Sequence, residues 1–312
     1  MTVSFCGLHL AHRVINGSGT FDAIAARSVF GPALDEQFPF AAYVSKTITL
    51  EPREGNPPPR LWEAPGGLIN SIGLPNKGLD AYLAEDLPHL AALTRADGVG
   101  EVRDRSWPRS APVPLITNVM GSSAEEFSRL VEACEAQTQI AALELNVSCP
   151  NVATGLDIGA APTTLEEVVR ATRARTGKPL IVKLTPNTAD VVACAQAAQA
   201  GGADAVSLIN TLRAMALAPG LPARPWLGGG TGGLSGPAVR AVALAQVAAV
   251  AAVVEIPVVG MGGVQSAAHA RALIDVGATL VAVGTENFCD PLAGVRIARE
   301  LCETAPPSQS RV

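Results

Sequence analysis

Ile140-Ala-Ala-Leu-Glu-Leu145 runs directly into Asn146-Val147-Ser148-Cys149-Pro150-Asn151, and the fold turns on this stretch. The first six residues read as a buried strand, being short, apolar and free of helical spacing. Pro150 has no N–H to give a ladder, so a central strand must stop there. A thiol and two carboxamides therefore stand where a rigid strand gives way to a loop. Such a place fixes position and allows access. A thiol there serves as base or nucleophile if its surroundings tune it.

Working outward, the same pattern recurs. Short apolar runs at 13–16, 41–45, 114–118, 140–147, 179–183, 203–210, 256–260 and 279–284 read as strands. Between them, 79–93, 123–136, 164–176, 188–200, 237–254, 266–276 and 291–303 read as helices. Thr164-Leu-Glu-Glu167 has the form of a capping box. Strands without alternation, separated by helices, imply a parallel sheet covered on both faces. About eight such units give an α/β fold, the (β/α)8 TIM barrel. The expected organisation is one domain over 1–305 with a tail at 306–312. Residues 51–77, rich in Pro and Gly, read as a long loop after the second strand, a lid or platform. The polar stretch 96–111 reads as a surface excursion.

A barrel places its chemistry at the C-terminal ends of its strands. In this chain those ends read Gly17-Ser18-Gly19-Thr20, Lys46-Thr47, Asn118, Asn146 with Cys149, Lys183, Asn210-Thr211, Gly262-Gly263 and Gly284-Thr285. Every end carries a polar group or glycine. Gly260-Met-Gly-Gly263 and Val283-Gly-Thr-Glu286 follow the last two strands, where barrels bind phosphate through backbone N–H groups. Gly232-Gly-Leu-Ser-Gly236 adds a further backbone-rich loop. Lys46 and Lys183 should point into the mouth and suit an anion or an electron-rich ring. Asn70, Asn146, Asn151 and Asn210 offer donors and acceptors together. A lone lysine at a strand end is usually just solvated, and a lone asparagine is usually a turn former.

Composition bounds the rest. Of 312 residues, 48% are hydrophobic and 16% charged, which suits a compact protein with much buried structure. A net charge of −5 gives no general attraction to nucleic acid. The six cysteines show no CxxC or metal-finger spacing, so no metal or cluster is expected within the chain. Cys6, Cys134, Cys194, Cys289 and Cys302 read as inert core residues. Unpaired thiols fit a reducing, cytoplasmic setting. Met1-Thr-Val-Ser-Phe-Cys6 lacks a basic region before an apolar one, so no signal peptide is expected. No apolar run is long enough to span a bilayer comfortably, and no membrane association is expected.

Asn146-Val-Ser-Cys-Pro-Asn151, Ser45-Lys-Thr47, Gly55-Asn-Pro-Pro-Pro-Arg60, Asn70-Ser-Ile-Gly-Leu74 and Lys183-Leu-Thr-Pro-Asn187 occur with Asn210-Thr211, Gly232-Gly-Leu-Ser-Gly-Pro237, Gly260-Met-Gly-Gly263 and Val283-Gly-Thr285. Together they resemble the class 1 dihydroorotate dehydrogenases over nearly the whole chain, in order. The resemblance implies an FMN-dependent barrel that oxidises dihydroorotate to orotate in pyrimidine synthesis. It implies that Cys149 is the base that takes a proton from C5, with Lys46 as a second catalytic residue, while hydride passes from C6 to N5 of FMN. Lys46, Asn70, Ser71, Ile72, Gly73, Leu74, Asn146, Asn151, Asn210 and Thr211 would grip the substrate. Ser18, Lys46, Thr47, Asn118, Asn146, Lys183, Ile209, Gly236, Gly262, Gly263, Gly284 and Thr285 would hold FMN. The loop 51–77 and the turn after Cys149 would close over the substrate.

Class 2 relatives use serine as base and carry a membrane-docking extension, which Cys149 and the early barrel start disfavour. Gly232–Pro237 and Glu286-Asn-Phe288 are closer to the NAD-linked subclass (class 1B) than to the fumarate-reducing one (class 1A). In that subclass a second subunit with FAD and an iron–sulfur cluster carries electrons from FMN to NAD. The resemblance also implies a homodimeric core, or a heterotetramer with that partner. Segments 96–111 and 213–230 depart from the family pattern. Two other readings stand beside this one. A dihydropyrimidine dehydrogenase-like flavin barrel would prefer uracil to orotate. A non-redox phosphate-binding barrel would be colourless.

Overall fold

The computed structural model describes residues 2–31, 34, 38–94, 113–148, 158–220 and 222–303. A hairpin of β1 (Val3–Phe5) and β2 (Leu8–Leu10) leads into β3 (Val14–Asn16) and β4 (Tyr43–Val44). A second hairpin, β5 (Leu61–Ala64) and β6 (Gly67–Asn70), precedes β7 (Leu115–Val119), β8 (Ile140–Asn146), β9 (Leu180–Lys183) and β10 (Ala205–Leu208). The short strands β11 (Leu212–Ala214), β12 (Leu217–Ala218), β13 (Arg224–Pro225) and β14 (Gly232–Ser235) follow, then β15 (Val258–Met261) and β16 (Leu280–Val283). Helices such as Ala124–Glu135, Pro162–Arg173, Val191–Ala200 and Ala267–Asp275 alternate with the later barrel strands. The expected barrel strands all appear, within a few residues of their expected bounds.

The eight-stranded sheet runs β3-β16-β15-β10-β9-β8-β7-β4. Its paired neighbours are parallel. The two end strands meet, and a side chain closes the ring. Asn16 Nδ2 donates to the Val44 carbonyl at 2.7 Å, and Val44 N–H donates to Asn16 Oδ1 at 2.8 Å. Ala41 N–H adds a bond to the Val14 carbonyl at 2.9 Å. Asn16 is fully buried and does here what a ladder does elsewhere. Asn16→Ala would leave the buried N–H and C=O of Val44 unpaired, at about 2 kcal/mol. The urea midpoint should fall accordingly with an unchanged slope. An unchanged midpoint would show that Asn16 does not close the ring.

The barrel interior changes character with height, because every second residue of a strand faces it. Ile15, Val44, Ile116, Ala142, Ile181, Ala205, Val259 and Leu280 form one buried apolar cluster, to which Phe5 and Leu10 of the first hairpin also belong. Two residues further along, Ile116 gives way to Asn118, Ala142 to Glu144, Ile181 to Lys183 and Ala205 to Ser207, all of them buried. The fold thus builds an apolar base and a polar upper layer from one period-two pattern.

Three expectations are corrected. The helix expected from Thr164 starts at Pro162, and Ala161 at its N-cap makes no side-chain bond. Proline pre-sets the helical φ and lacks the N–H that a first turn leaves orphaned, so it overrides the capping box. Residues 51–77 are not simply a loop, since they contain β5 and β6. That hairpin joins β14 and β11 in an antiparallel sheet of order β11-β14-β6-β5. Gly67 makes the join possible, because any Cβ there would strike the Ser235 carbonyl. Finally, Cys289 and Cys302 are exposed rather than core, whereas Cys134 and Cys194 are buried. Cys302 lies on Ala293–Glu303, whose buried side ends at Leu301. Burial pushes the Cys134 thiol up to about 12, which keeps it inert. The stretch 96–111 and the tail 306–312 lie outside the described residues.

Candidate active site

A cavity of about 340 Å³ opens at the C-terminal ends of the barrel strands. Strand ends supply its floor and walls through Ser18, Lys46, Thr47, Asn146, Lys183, Ile209, Asn210 and Thr211. Gly262, Gly263, Gly284 and Thr285 line the side after the last two strands. The small antiparallel sheet brings in Asn70, Leu234 and Ser235, with Ile72, Gly73, Leu74 and Gly236 from adjoining turns. Expected residues from distant parts of the chain thus converge on one space. Two do not line it. Ser71 is buried and its hydroxyl accepts from Asn56 Nδ2 at 2.9 Å. Asn118 is buried in the barrel. Cys149 and Asn151 lie outside the described residues.

The glycine-lined side is shaped for close approach. Gly236, Gly262 and Gly263 have φ of 88°, 138° and 68°, which side chains rarely adopt. A Cβ at Gly284 would meet only Thr20 Cγ2 at 3.8 Å. It would take up cavity space instead of packing. Arg240 donates from Nε to the Gly263 carbonyl at 2.9 Å and from Nη2 to Gln265 Oε1 at 2.9 Å. Gln265 Nε2 in turn donates to Glu286 Oε2 at 2.9 Å. That chain ties together the loops after β15 and β16 and engages the Gly263 oxygen away from any anion. Thr285 Oγ1 donates to Ser235 Oγ at 2.9 Å and anchors the same corner to the small sheet.

The opposite side is polar and directional. Asn210 Nδ2 donates to Ser148 Oγ at 2.9 Å, and that hydroxyl donates to Asn146 Oδ1 at 2.9 Å. Asn146 Nδ2 then donates to Thr47 Oγ1 at 3.2 Å. Each group's donor is used in one direction, so the amide orientations of Asn146 and Asn210 are set. Asn70 Nδ2 donates to the Gly233 carbonyl at 3.2 Å. Lys183 is only 5% exposed, whereas Lys46 at the rim is exposed. Glu144, Ser148 and Arg240 are residues that the sequence reading does not single out. Glu144 carried the one available signal, a charge inside an apolar strand.

Such a space suits a flat molecule with a phosphate at one end and hydrogen-bonding edges at the other, beside a small anion. Among the described residues, no group of three or more His, Cys, Asp or Glu is placed to hold a metal ion. Among them too, no helix is long and apolar enough to cross a membrane.

Comparison with known proteins adds independent findings. The family model described as dihydroorotate dehydrogenase matches residues 1–304. The chain is 43% identical over 301 residues to the catalytic subunit of dihydroorotate dehydrogenase B (NAD(+)) of Pelobacter propionicus, covering 96% of this chain and 91% of that one. It is 40% identical over 302 residues to the protein of that description from Geobacter sp. strain M21, covering 96% and 92%. In structure it resembles the crystal structure of DHODH from Eimeria tenella in complex with ferulenol, with a TM-score of 0.74. That likeness covers 97% of this chain and 83% of the other at 21% sequence identity, and it supports the barrel fold alone.

Proposed function

The chain belongs to the dihydroorotate dehydrogenase family, and on that premise we propose that it oxidises dihydroorotate to orotate, with FMN held at the barrel mouth. The observation that carries this reading is the convergence of Lys46, Lys183, three carboxamides and the glycine corner on one cavity. The donor set fits the cofactor. Backbone N–H groups of Gly262, Gly263, Gly284 and Thr285 suit its phosphate. Lys183 suits its ring, and the buried Oδ1 of Asn118, which has no partner among the described residues, offers an acceptor outside the lining. When bound, FMN supplies a two-electron acceptor for the hydride leaving C6.

The protein's own part is binding, orientation and proton transfer. Asn70, Asn146, Asn210 and Thr211 read the imide edges of the substrate ring, while Lys46 meets its carboxylate. Cys149 takes the C5 proton. Its neighbour Ser148 is buried and clamped between Asn146 and Asn210, both of which line the cavity. The small sheet roofs the site and limits water.

Lys46 separates this substrate from a ring without a carboxylate. Lys46→Ala should raise KM for dihydroorotate roughly tenfold, with little effect on dihydrouracil. Equal effects on both would remove the carboxylate contact and favour a dihydropyrimidine reading. We further propose a cytoplasmic catalytic subunit, dimeric at its core, that passes electrons to NAD through a partner with FAD and an iron–sulfur cluster. Dihydroorotate-dependent NAD reduction by the co-purified pair, and not by this chain alone, checks that arrangement. Efficient fumarate reduction by the chain alone would overturn it.

A further inference from the structure

We infer that Glu144 is a positioning residue that decides which end of the Asn118 amide faces the flavin. The inference rests on the reading that Asn118 meets that cofactor. Glu144 is 4% exposed, on a strand whose other residues are apolar until Asn146. Its Oε2 accepts from Asn118 Nδ2 at 2.5 Å and its Oε1 accepts from Ser207 Oγ at 2.7 Å. A carboxylate can only accept, so Asn118 must turn its NH2 toward Glu144 and its oxygen the other way. Ser207 holds the second carboxylate oxygen and keeps the group from swinging aside.

That leaves Asn118 Oδ1 buried with no partner among the described residues. A buried carbonyl oxygen without a donor is costly, so its retention points to a donor that arrives with a ligand. Asn118 itself does not line the cavity, but it pairs in register with Glu144, and Asn146, two residues beyond Glu144 on β8, does line it. Lys183, in register with Asn146 and with Ser207, lines it as well. The oxidised flavin ring carries an imide N–H, and its ribityl chain carries hydroxyl donors, so an acceptor at this spot is matched. A reversed amide would set donor against donor. Glutamine at 144 would tolerate both orientations, which gives the charge a reason to be there.

The test is a double-mutant cycle on FMN affinity, read by flavin fluorescence during reconstitution of the apoprotein. Asn118→Ala and Glu144→Leu should each raise the FMN dissociation constant roughly tenfold. The double variant should be no worse than Asn118→Ala alone, because Glu144 acts through Asn118. If Glu144→Leu keeps its full effect in the Asn118→Ala background, the positioning role is overturned and Asn118 remains a flavin residue. If Asn118→Ala leaves the affinity unchanged, the flavin reading of Asn118 falls and the inference with it. Glu144→Gln keeps the shape and should raise the constant roughly threefold, again only when Asn118 is present. That cycle decides by the same criterion should Glu144→Leu not fold.

Discussion

Cys149→Ala should lower turnover about a thousandfold while the protein stays yellow and still binds orotate. The size is that of losing a positioned general base, the role proposed for Cys149. Retention of colour follows from the geometry, since the cavity walls that suit FMN come from other strand ends. The effect should lie in the chemical step, so the rate of flavin reduction in an anaerobic single turnover should fall with kcat. Substrate affinity should change little, because the carboxamides and Lys46 remain. Cys149→Ser should recover part of the loss, as a hydroxyl is the poorer base. Near-normal flavin reduction in the alanine variant would remove Cys149 from the mechanism.

The second large effect concerns Lys183, and it has two signs. Lys183 is 5% exposed, lines the cavity and has no ion-pair partner among the described residues. Burying a cation without an anion costs stability. Lys183→Met should therefore leave the apoprotein at least as stable as the wild type. The same change should weaken FMN binding roughly a hundredfold, because it removes the positive charge that Lys183 is proposed to bring to the bound ring. Thermal unfolding of the apo forms and flavin titration read the two effects separately. A variant that loses stability and flavin together would point to a packing role instead.

Much of this site is legible in the sequence because a barrel converts strand order into spatial neighbourhood. Once Ile140–Asn146 is read as a buried strand, the end of each apolar run falls at the mouth end of the barrel, although Asn118 stays buried behind the lining. Lys46, Asn146, Asn210 and the glycines after β15 and β16 follow from that rule and line the cavity. What stays hidden depends on pairing across long separations. Asn16 reads as an ordinary strand end, and only the meeting of β3 with β4 gives its amide a closing role. The hairpin 61–70 is masked by the surrounding prolines and glycines, and its partner β14 lies far along the chain. Glu144 looks like an interruption in an apolar run until Asn118 on the adjacent strand and Ser207 two strands away reach its carboxylate. Pro162 outweighs the Thr164 box because its ring already holds the helical φ and it lacks the N–H that a cap would have to satisfy.

The catalytic account is tested most directly by mixing the purified, FMN-loaded chain with dihydroorotate in the absence of oxygen and of any partner. The yellow absorption should bleach as one orotate forms per flavin, and dihydrouracil should bleach it far more slowly. A flavin that stays oxidised in the presence of dihydroorotate, or a chain that takes up no FMN, would contradict it.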